Sequence, residues 1–351
     1  MAYATTILSE KRRPGKWHHT SGSTGVPLAI YRENHAELEM LACQPRLRAL
    51  WGVDMSDKVV LFRHRPPTSP SLSGLVHALS YAVKSFLLQR TRFAAYQLGK
   101  DDLRQDLRRI RDLRPVLIYG NASAIYLLAL EAIETGVTLD SLRLVVMTLE
   151  IVSDAMLAKV QEAFHANVIT EYGAEECYVI AYGDGHHPLR VREDQVLVET
   201  LPTEDNFHRV IISVLGNPSF PLLRYEIGDL TDKPIYQVDS GFSALGHVIG
   251  RSVDYLISGQ GRPIRALPLI DFLEAYPSIR RIRAHQSSDG KVLVLLEVDS
   301  IASRIPVGAI QKRLVRFLEG QNVDVRLVEV LPKTGHKHRW ITSDITKPQP
   351  S

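Results

Sequence analysis

Short apolar runs and amphipathic stretches alternate along the middle of the chain. Asp101 to Leu113 is charged and amphipathic at helical spacing and stops before Pro115, and Val116 to Tyr119 is an apolar run of strand length. Ser123 to Thr135 reads as a second helix closed by Gly136, and Leu142 to Met147 as a strand. Ser153 to His165 reads as a further helix and Asn167 to Thr170 as a further strand. That alternation predicts βαβ units and a parallel sheet. Ligands in such sheets bind at the carboxyl ends of strands, which singles out the segment Glu171 to Cys177 as an expected loop. Upstream, Leu28 to Tyr31 is strand-like, and Asn34 is placed to cap a helix with Leu38, Leu41 and Ala42 at helical spacing. Pro45 should kink or end that helix. Lys58 to Phe62 is another strand, and Leu75 to Leu98 is apolar at helical spacing.

After Tyr182 the pattern changes. Gln195 to Thr200, Arg209 to Val214 and Tyr236 to Asp239 look like strands separated by polar turns, so a β-rich subdomain follows. The glycines of Gly250 to Gly261 break the pattern. Arg281 to His285, Val292 to Val298, a helix from Pro306 to Glu319, and Val323 to Val330 then give a β-β-α-β order. The predicted fold is α/β. A large N-terminal domain, residues 1–253, has a mostly parallel βαβ sheet plus the β-rich subdomain, and a small α+β C-terminal domain spans 254–351. The change of fold and the glycines around Arg251 to Asp254 suit a hinge.

With 351 residues, 45% of them hydrophobic, the chain has enough apolar surface for a full core, which excludes disorder as its main state. Its 42 basic and 39 acidic residues nearly balance, and no basic run is interleaved with aromatics, which argues against a nucleic-acid partner. Two cysteines, Cys43 and Cys177, cannot build a disulfide framework or a cysteine zinc cluster, and fit a reducing cytoplasm. Met1 to Arg13 lacks an apolar run of signal-peptide length, and no segment approaches the roughly 20 residues that would imply a membrane partner.

Candidate chemistry lies in five short segments. Thr20-Ser21-Gly22-Ser23-Thr24-Gly25 combines glycines, which let backbone N–H groups approach a ligand, with four hydroxyls, a combination that suits phosphate oxygens. No Gly-Lys-Ser/Thr follows, so it is not a Walker loop. Taken alone it reads more simply as a surface loop, and its partners decide. They are Glu171-Tyr172-Gly173-Ala174-Glu175-Glu176, Arg224 to Leu230 with Asp229 after Gly228, Gly250-Arg251 with Asp254, and Leu331 to Arg339.

In this order and spacing the segments resemble the motifs of the adenylate-forming superfamily of acyl-CoA synthetases, adenylation domains and luciferases, most closely its phenylacetate-CoA ligase branch. Thr20 to Pro27 is similar to that family's phosphate loop, and Tyr172 to Glu176 to its Tyr-Gly-x-Thr/Ser-Glu motif. Arg224 to Asp229 matches Arg-Tyr-x-x-Gly-Asp, Gly250-Arg251 matches the hinge motif, and Leu331 to Lys337 resembles the late lysine loop. The resemblance implies that a carboxylic acid and ATP form an acyl-adenylate and pyrophosphate, after which CoA takes the acyl group. A carrier-protein thiol, an amine or a protein is the alternative acceptor, and a non-catalytic nucleotide-binding homologue a further one. It implies that Ser21, Gly22, Ser23, Thr24 and Gly25 cradle the triphosphate, and that Glu176 holds Mg²⁺. Tyr172 and Gly173 would lie at the adenine, with Glu150 lining that pocket, while Asp229 accepts from the ribose and Arg251 reaches the nucleotide. Thr24, Glu176 and Lys337 would be catalytic, with Lys337 brought to the α-phosphate by the small domain acting as a mobile lid. Lys333 is the rival for that role. The branch favours a small aromatic acid, and a homodimer is left open.

Three departures stand out. Glu175 occupies the usual Thr/Ser position, where its charge would crowd the α-phosphate unless Mg²⁺ or an arginine compensates or it points away. Leu149-Glu150 stands for the family's Gly-Glu, implying a narrower adenine pocket. Only about nineteen residues precede the phosphate loop, implying an acyl pocket that is more open or completed by a partner. His18, His19, His186 and His187 read more simply as surface or pocket histidines than as zinc ligands, because no cysteine pair accompanies them.

Overall fold

The computed structural model describes residues 7–19, 28–63, 85, 89–95, 99–185, 188–238, 241–274, 276, 278–298, 305–332 and 339–345. The segment Thr20 to Pro27, most of Leu75 to Leu98, and residues 333–338 lie outside this set. The chain divides into two compact units. One comprises residues 1–57, 143–149 and 166–248, the other 58–142, 150–165 and 249–351.

In the first unit the strand Leu144–Thr148 runs parallel to Asn167–Ala174, which turns back into the antiparallel strand Tyr178–Gly183. Leu189–Val191, Ser243–Leu245 and Tyr236–Gln237 extend that sheet. Val196–Pro202, His208–Val214 and Tyr225–Thr231 form the β-rich part, pairing antiparallel in sequence order. Alternate positions on these strands (Val196, Val198, Val210 and Ile212) point into a core shared with Ile180, Phe220 and Met40. Gly15–His19 pairs with Ala29–Glu33, and all five residues of the latter are buried, including Arg32 and Glu33.

The helix expected at Asn34 forms over Asn34–Ala49, with two differences. Its N-cap residue is Glu33, not Asn34, and Glu33 makes no cap bond because its carboxylate accepts from Ser219 N and Oγ at 2.9 and 2.5 Å. Its apolar stripe is Ala36, Met40, Cys43 and Leu47, while Leu38 and Leu41 face outward. Cys43 and Leu47 pack on Val179 of the strand Tyr178–Gly183, so tertiary packing selects the buried face. The helix also continues through Pro45.

In the second unit Val59–Phe62 lies parallel to both Arg90–Phe93 and Leu117–Asn121. Arg90–Phe93 falls where the sequence suggested helical spacing. Its Phe93 ring packs on Phe62 with centroids 5.7 Å apart, and the parallel pairing overrides local pattern. The helices Lys100–Leu113, Ala122–Thr135 and Asp154–Phe164 match the alternation, with Gly136 closing the second at φ +67° and Ser153 Oγ accepting from Met156 N at 3.2 Å to open the third. Further along, Val292–Val298 pairs antiparallel with Ile279–Gln286 and parallel with Val323–Val328, and the helix Val307–Phe317 links the two parallel strands. The predicted β-β-α-β order is present there. Among the described residues no helix is long and apolar enough to cross a membrane.

Leu149, directly after the strand Leu144–Thr148, has φ +74°. A side chain in this left-handed region costs about 1–2 kcal/mol, a cost glycine escapes. The geometry therefore accounts for a glycine at this position of the motif. Elsewhere a glycine is less stable than alanine. At 149 the order should invert, with Leu149→Gly more stable than Leu149→Ala by about 1 kcal/mol in urea unfolding. The ordinary order would show that the backbone relaxes at no cost.

Candidate active site

The segment Glu171 to Cys177, expected to be a loop, is largely strand. The strand Asn167–Ala174 carries Glu171 to Ala174, and only Glu175, Glu176 and Cys177 turn before Tyr178–Gly183 begins. Strand pairing continues past the carboxyl end because the next segment folds back on it with a register shift between Tyr172 and Gly173. Gly173 makes this possible. A Cβ there would stand 1.8 Å from the Tyr178 carbonyl oxygen, so only glycine lets the two backbones approach.

A second irregularity faces this hairpin. Leu230 pairs with Arg209 but Glu226 pairs with Ile211, so Tyr225–Thr231 bulges at Ile227 to Asp229, with Gly228 at φ +83°. The acid therefore lies in a bulge within a strand rather than after a turn. Within the first unit the two irregularities bring Tyr172 to Asp229, and the phenol donates to Asp229 Oδ2 at 2.8 Å. Asp229 and Glu176 are both buried.

Glu175 lies in a charged cluster that the sequence reading did not anticipate. The Arg32 guanidinium, on a side chain with no exposed surface, donates through Nη1 to Glu37 Oε2 at 2.6 Å and to the Tyr178 hydroxyl at 3.0 Å. Its Nη2 donates to the Glu175 carbonyl and lies 3.4 Å from the Glu175 carboxylate. It also sits 4.5 Å over the Tyr178 ring. His18 lies 3.5 Å from Glu37 Oε2 and 3.8 Å from Glu175 Oε1. Burial by itself would lower the Arg32 pKa, but the Glu37 hydrogen bond and the surrounding acidic groups raise it. Burial opposes ionisation of Glu37 as well, yet bonds from Arg32 and Tyr178 hold it below the usual carboxylate range. Burial pushes the Tyr178 phenol up to about 12. The compensating arginine that Glu175 calls for is thus Arg32, and the signal for it was a cation directly after the apolar run Leu28 to Tyr31.

The second unit holds Glu150 and Arg251. Glu150 accepts from Asn121 Nδ2 at 2.7 Å and from Ser123 N and Oγ at 3.1 and 2.5 Å, a carboxylate at the start of the helix Ala122–Thr135, where the helix dipole favours it. Arg251 ends the strand Val248–Arg251, its carbonyl accepts from Asp254 N at 3.1 Å, and the Asp254 carboxylate pairs with Arg339. Ser21, Gly22, Ser23, Thr24, Gly25, Lys333 and Lys337 lie outside the described residues. Among described residues no cluster of three His, Cys, Asp or Glu side chains can hold a metal by itself. The single buried carboxylate of Glu176 fits Mg²⁺ arriving on a triphosphate, since that ion is commonly held by one or two carboxylates plus substrate phosphates. Burial pushes the Cys43 thiol up to about 12 and the Cys177 thiol higher still, so neither is a nucleophile or a thiolate ligand. An open cavity of about 340 Å³ beside Cys43, Tyr182, Arg192 and Phe242 contains none of the motif residues.

No protein-family model matches the chain. Among curated proteins, Protein CapK of Staphylococcus aureus is 20% identical over 269 residues, 74% of this chain, and the chain spans only 59% of that relative's length. Among solved structures, 2-hydroxyisobutyryl-CoA ligase in a complex with its acyl-adenylate superposes with TM-score 0.70 at 15% identity, covering 97% of this chain and 74% of the ligase. The anthranilate CoA ligase AuaEII with anthranoyl-AMP gives 0.61 at 17% identity over 92% of this chain and 64% of its own. ATP-bound MatB from Rhodopseudomonas palustris gives 0.59 at 16% identity over 92% and 66%. The chain therefore has the α/β fold of these ligases.

The Tyr172–Asp229 bond is testable without any ligand. A hydrogen bond to a charged acceptor is worth about 1.5–3 kcal/mol, so Tyr172→Phe should lower unfolding free energy by that order. In an Asp229→Ala background the same change should cost far less, and additive losses would show that the pair does not interact.

Proposed function

We propose that this chain is an ATP-dependent, AMP-forming carboxylate ligase of the phenylacetate-CoA ligase type, which activates an aromatic acid as its adenylate and passes it to CoA. The observation that carries the reading is the junction of Tyr172 and Asp229 at 2.8 Å, on a hairpin whose turn bears Glu176, within a fold shared with adenylate-bearing ligases. In this reading Tyr172 lies against adenine while its hydroxyl orients Asp229 toward the ribose hydroxyls. Glu176 would hold Mg²⁺, which would supply positive charge against that developing on the reacting phosphate. Residues 21–25 supply phosphate donors. Lys337 serves the reacting phosphate, and Arg251 marks the hinge between bodies 1–253 and 254–351. Free, buried cysteines support action in a reducing cytoplasm.

The anchoring of Glu175 by Arg32 supports turnover over a degenerate role, because it draws the Glu175 carboxylate toward a cation. For the acceptor, an amine is the alternative to CoA. McbA from Marinactinospora thermotolerans, an amide bond synthetase, superposes with TM-score 0.58 at 17% identity. Pyrophosphate release across a panel of aromatic and aliphatic acids, with and without CoA, tests both halves. Release that depends on an acid and forms a thioester with CoA supports the proposal. Acid-dependent release without thioester moves the acceptor to an amine or a carrier thiol, and no release with any acid overturns the ligase reading.

Glu176→Gln should abolish Mg²⁺-dependent pyrophosphate release with folding intact, and Glu175→Gln should not. The reverse outcome would shift the motif by one residue. Lys337→Ala should slow adenylation about a hundredfold, on the scale of a lost charge-stabilising donor, and spare transfer from pre-formed adenylate. If Lys333→Ala does this instead, the roles exchange. Limited proteolysis should cut near Arg251 to Asp254 with protection altered by nucleotide, and an uncut chain under all conditions would remove the hinge.

A further inference from the structure

We infer that Arg32 is a positioning residue for the proposed metal carboxylate, holding the turn Glu175-Glu176-Cys177 in its working shape. The inference rests on the reading of Glu176 as the Mg²⁺ ligand and extends it to a residue outside every motif. The turn has three residues, and the guanidinium grips what lies on both sides of Glu176. Nη2 donates to the Glu175 carbonyl, and Nη1 donates to the Tyr178 hydroxyl at 3.0 Å while the plane covers the Tyr178 ring at 4.5 Å. Tyr178 needs such a grip because its backbone stands at φ +60°, a conformation an aromatic residue adopts only when its surroundings hold it.

Arg32 is in turn held by its own surroundings. It belongs to a strand buried at all five positions, and Glu37 fixes the guanidinium at 2.6 Å. Glu33, next in the chain, accepts from Ser219 N and Oγ, and Asn217 accepts from Glu33 N and donates to the Tyr31 carbonyl. That strand begins two residues after the glycine-serine segment 20–27. One buried strand thus carries the grip on the turn that bears Glu176. Outer partners of a metal ligand matter in this way because they fix its orientation before the ion arrives.

A merely structural arginine would also lower stability when replaced, so the test reads metal binding. Mn²⁺ is titrated by electron paramagnetic resonance into the full chain with a non-hydrolysable ATP analogue. AMP affinity, which needs no metal, and amide exchange are measured in parallel. The reporting amide is Cys177 N, which donates to the Ala174 carbonyl across the turn at 3.2 Å. Arg32→Lys keeps the charge and loses the fork, and should weaken Mn²⁺ about tenfold or more, on the scale seen for outer partners of metal ligands. AMP affinity should be unchanged and exchange at Cys177 faster. Tyr178→Phe, which removes one acceptor and keeps the ring, should show a smaller loss of the same kind, and it decides the matter if Arg32→Lys does not fold. Unchanged Mn²⁺ affinity in the folded variants overturns the inference, as does equal loss of Mn²⁺ and AMP affinity. Wild-type protein that binds neither AMP nor the Mn²⁺ complex overturns the ligase reading instead. In that case the amide exchange of Arg32→Lys still decides whether Arg32 holds the turn.

Discussion

The first unit is organised by the cost of taking a guanidinium out of water. An unpaired buried ion costs several kcal/mol, so the chain around Arg32 must deliver acceptors from separate segments at once. Glu37 comes from the following helix, Tyr178 from the hairpin strand, and the Glu175 carbonyl from the turn. Each segment is held by the same ion. The neighbouring Glu33 imposes a like demand, met by Ser219. Two charges on one buried strand therefore specify where a helix, a hairpin and a loop meet. Apolar residues of the same volume would pack as well but would not dictate those partners.

The two glycines of the hairpin and the bulge act through backbone geometry alone. Gly173 allows a backbone approach that a methyl group would forbid, and Gly228 lets a strand carry two extra residues toward it. Neither touches Asp229 or Tyr172 through a side chain, yet both determine that a phenol and a carboxylate come within 2.8 Å. The motif letters thus divide between those that hold the path and those that present functional groups.

Much of this architecture was legible in the chain. Period and punctuation marked the helices around Leu103, Leu127 and Val160 and the strands between them, because each buries a face against its neighbours. Three of the features that escaped show why. The buried face of the helix Asn34–Ala49 is not encoded locally, since Leu38 and Leu41 are as apolar as Met40 and only the hairpin beneath decides which side is covered. The strand Arg90–Phe93 is too short and too cationic to announce itself, and it exists through pairing with Val59–Phe62. The Arg32 cluster joins residues 18, 32, 37, 175 and 178, and no local pattern encodes a contact across more than 140 positions. The motif positions were read from order and spacing, and the structure adds the bulge and the register shift that give them their geometry.

The two buried thiols have a practical consequence. Cys43 and Cys177 are the chain's full complement of cysteine, and both are buried, which raises their thiol pKa values. Reagents that attack thiolates therefore have no native target while the protein is folded. The natural chain already serves as a silent background for spectroscopy. A single cysteine introduced on any exposed position takes a spin or fluorescent label without first stripping out residues that pack the core. Pairs of such labels, one in residues 1–57 and one in 254–351, would report distances within the unmodified fold, in solution and without a crystal.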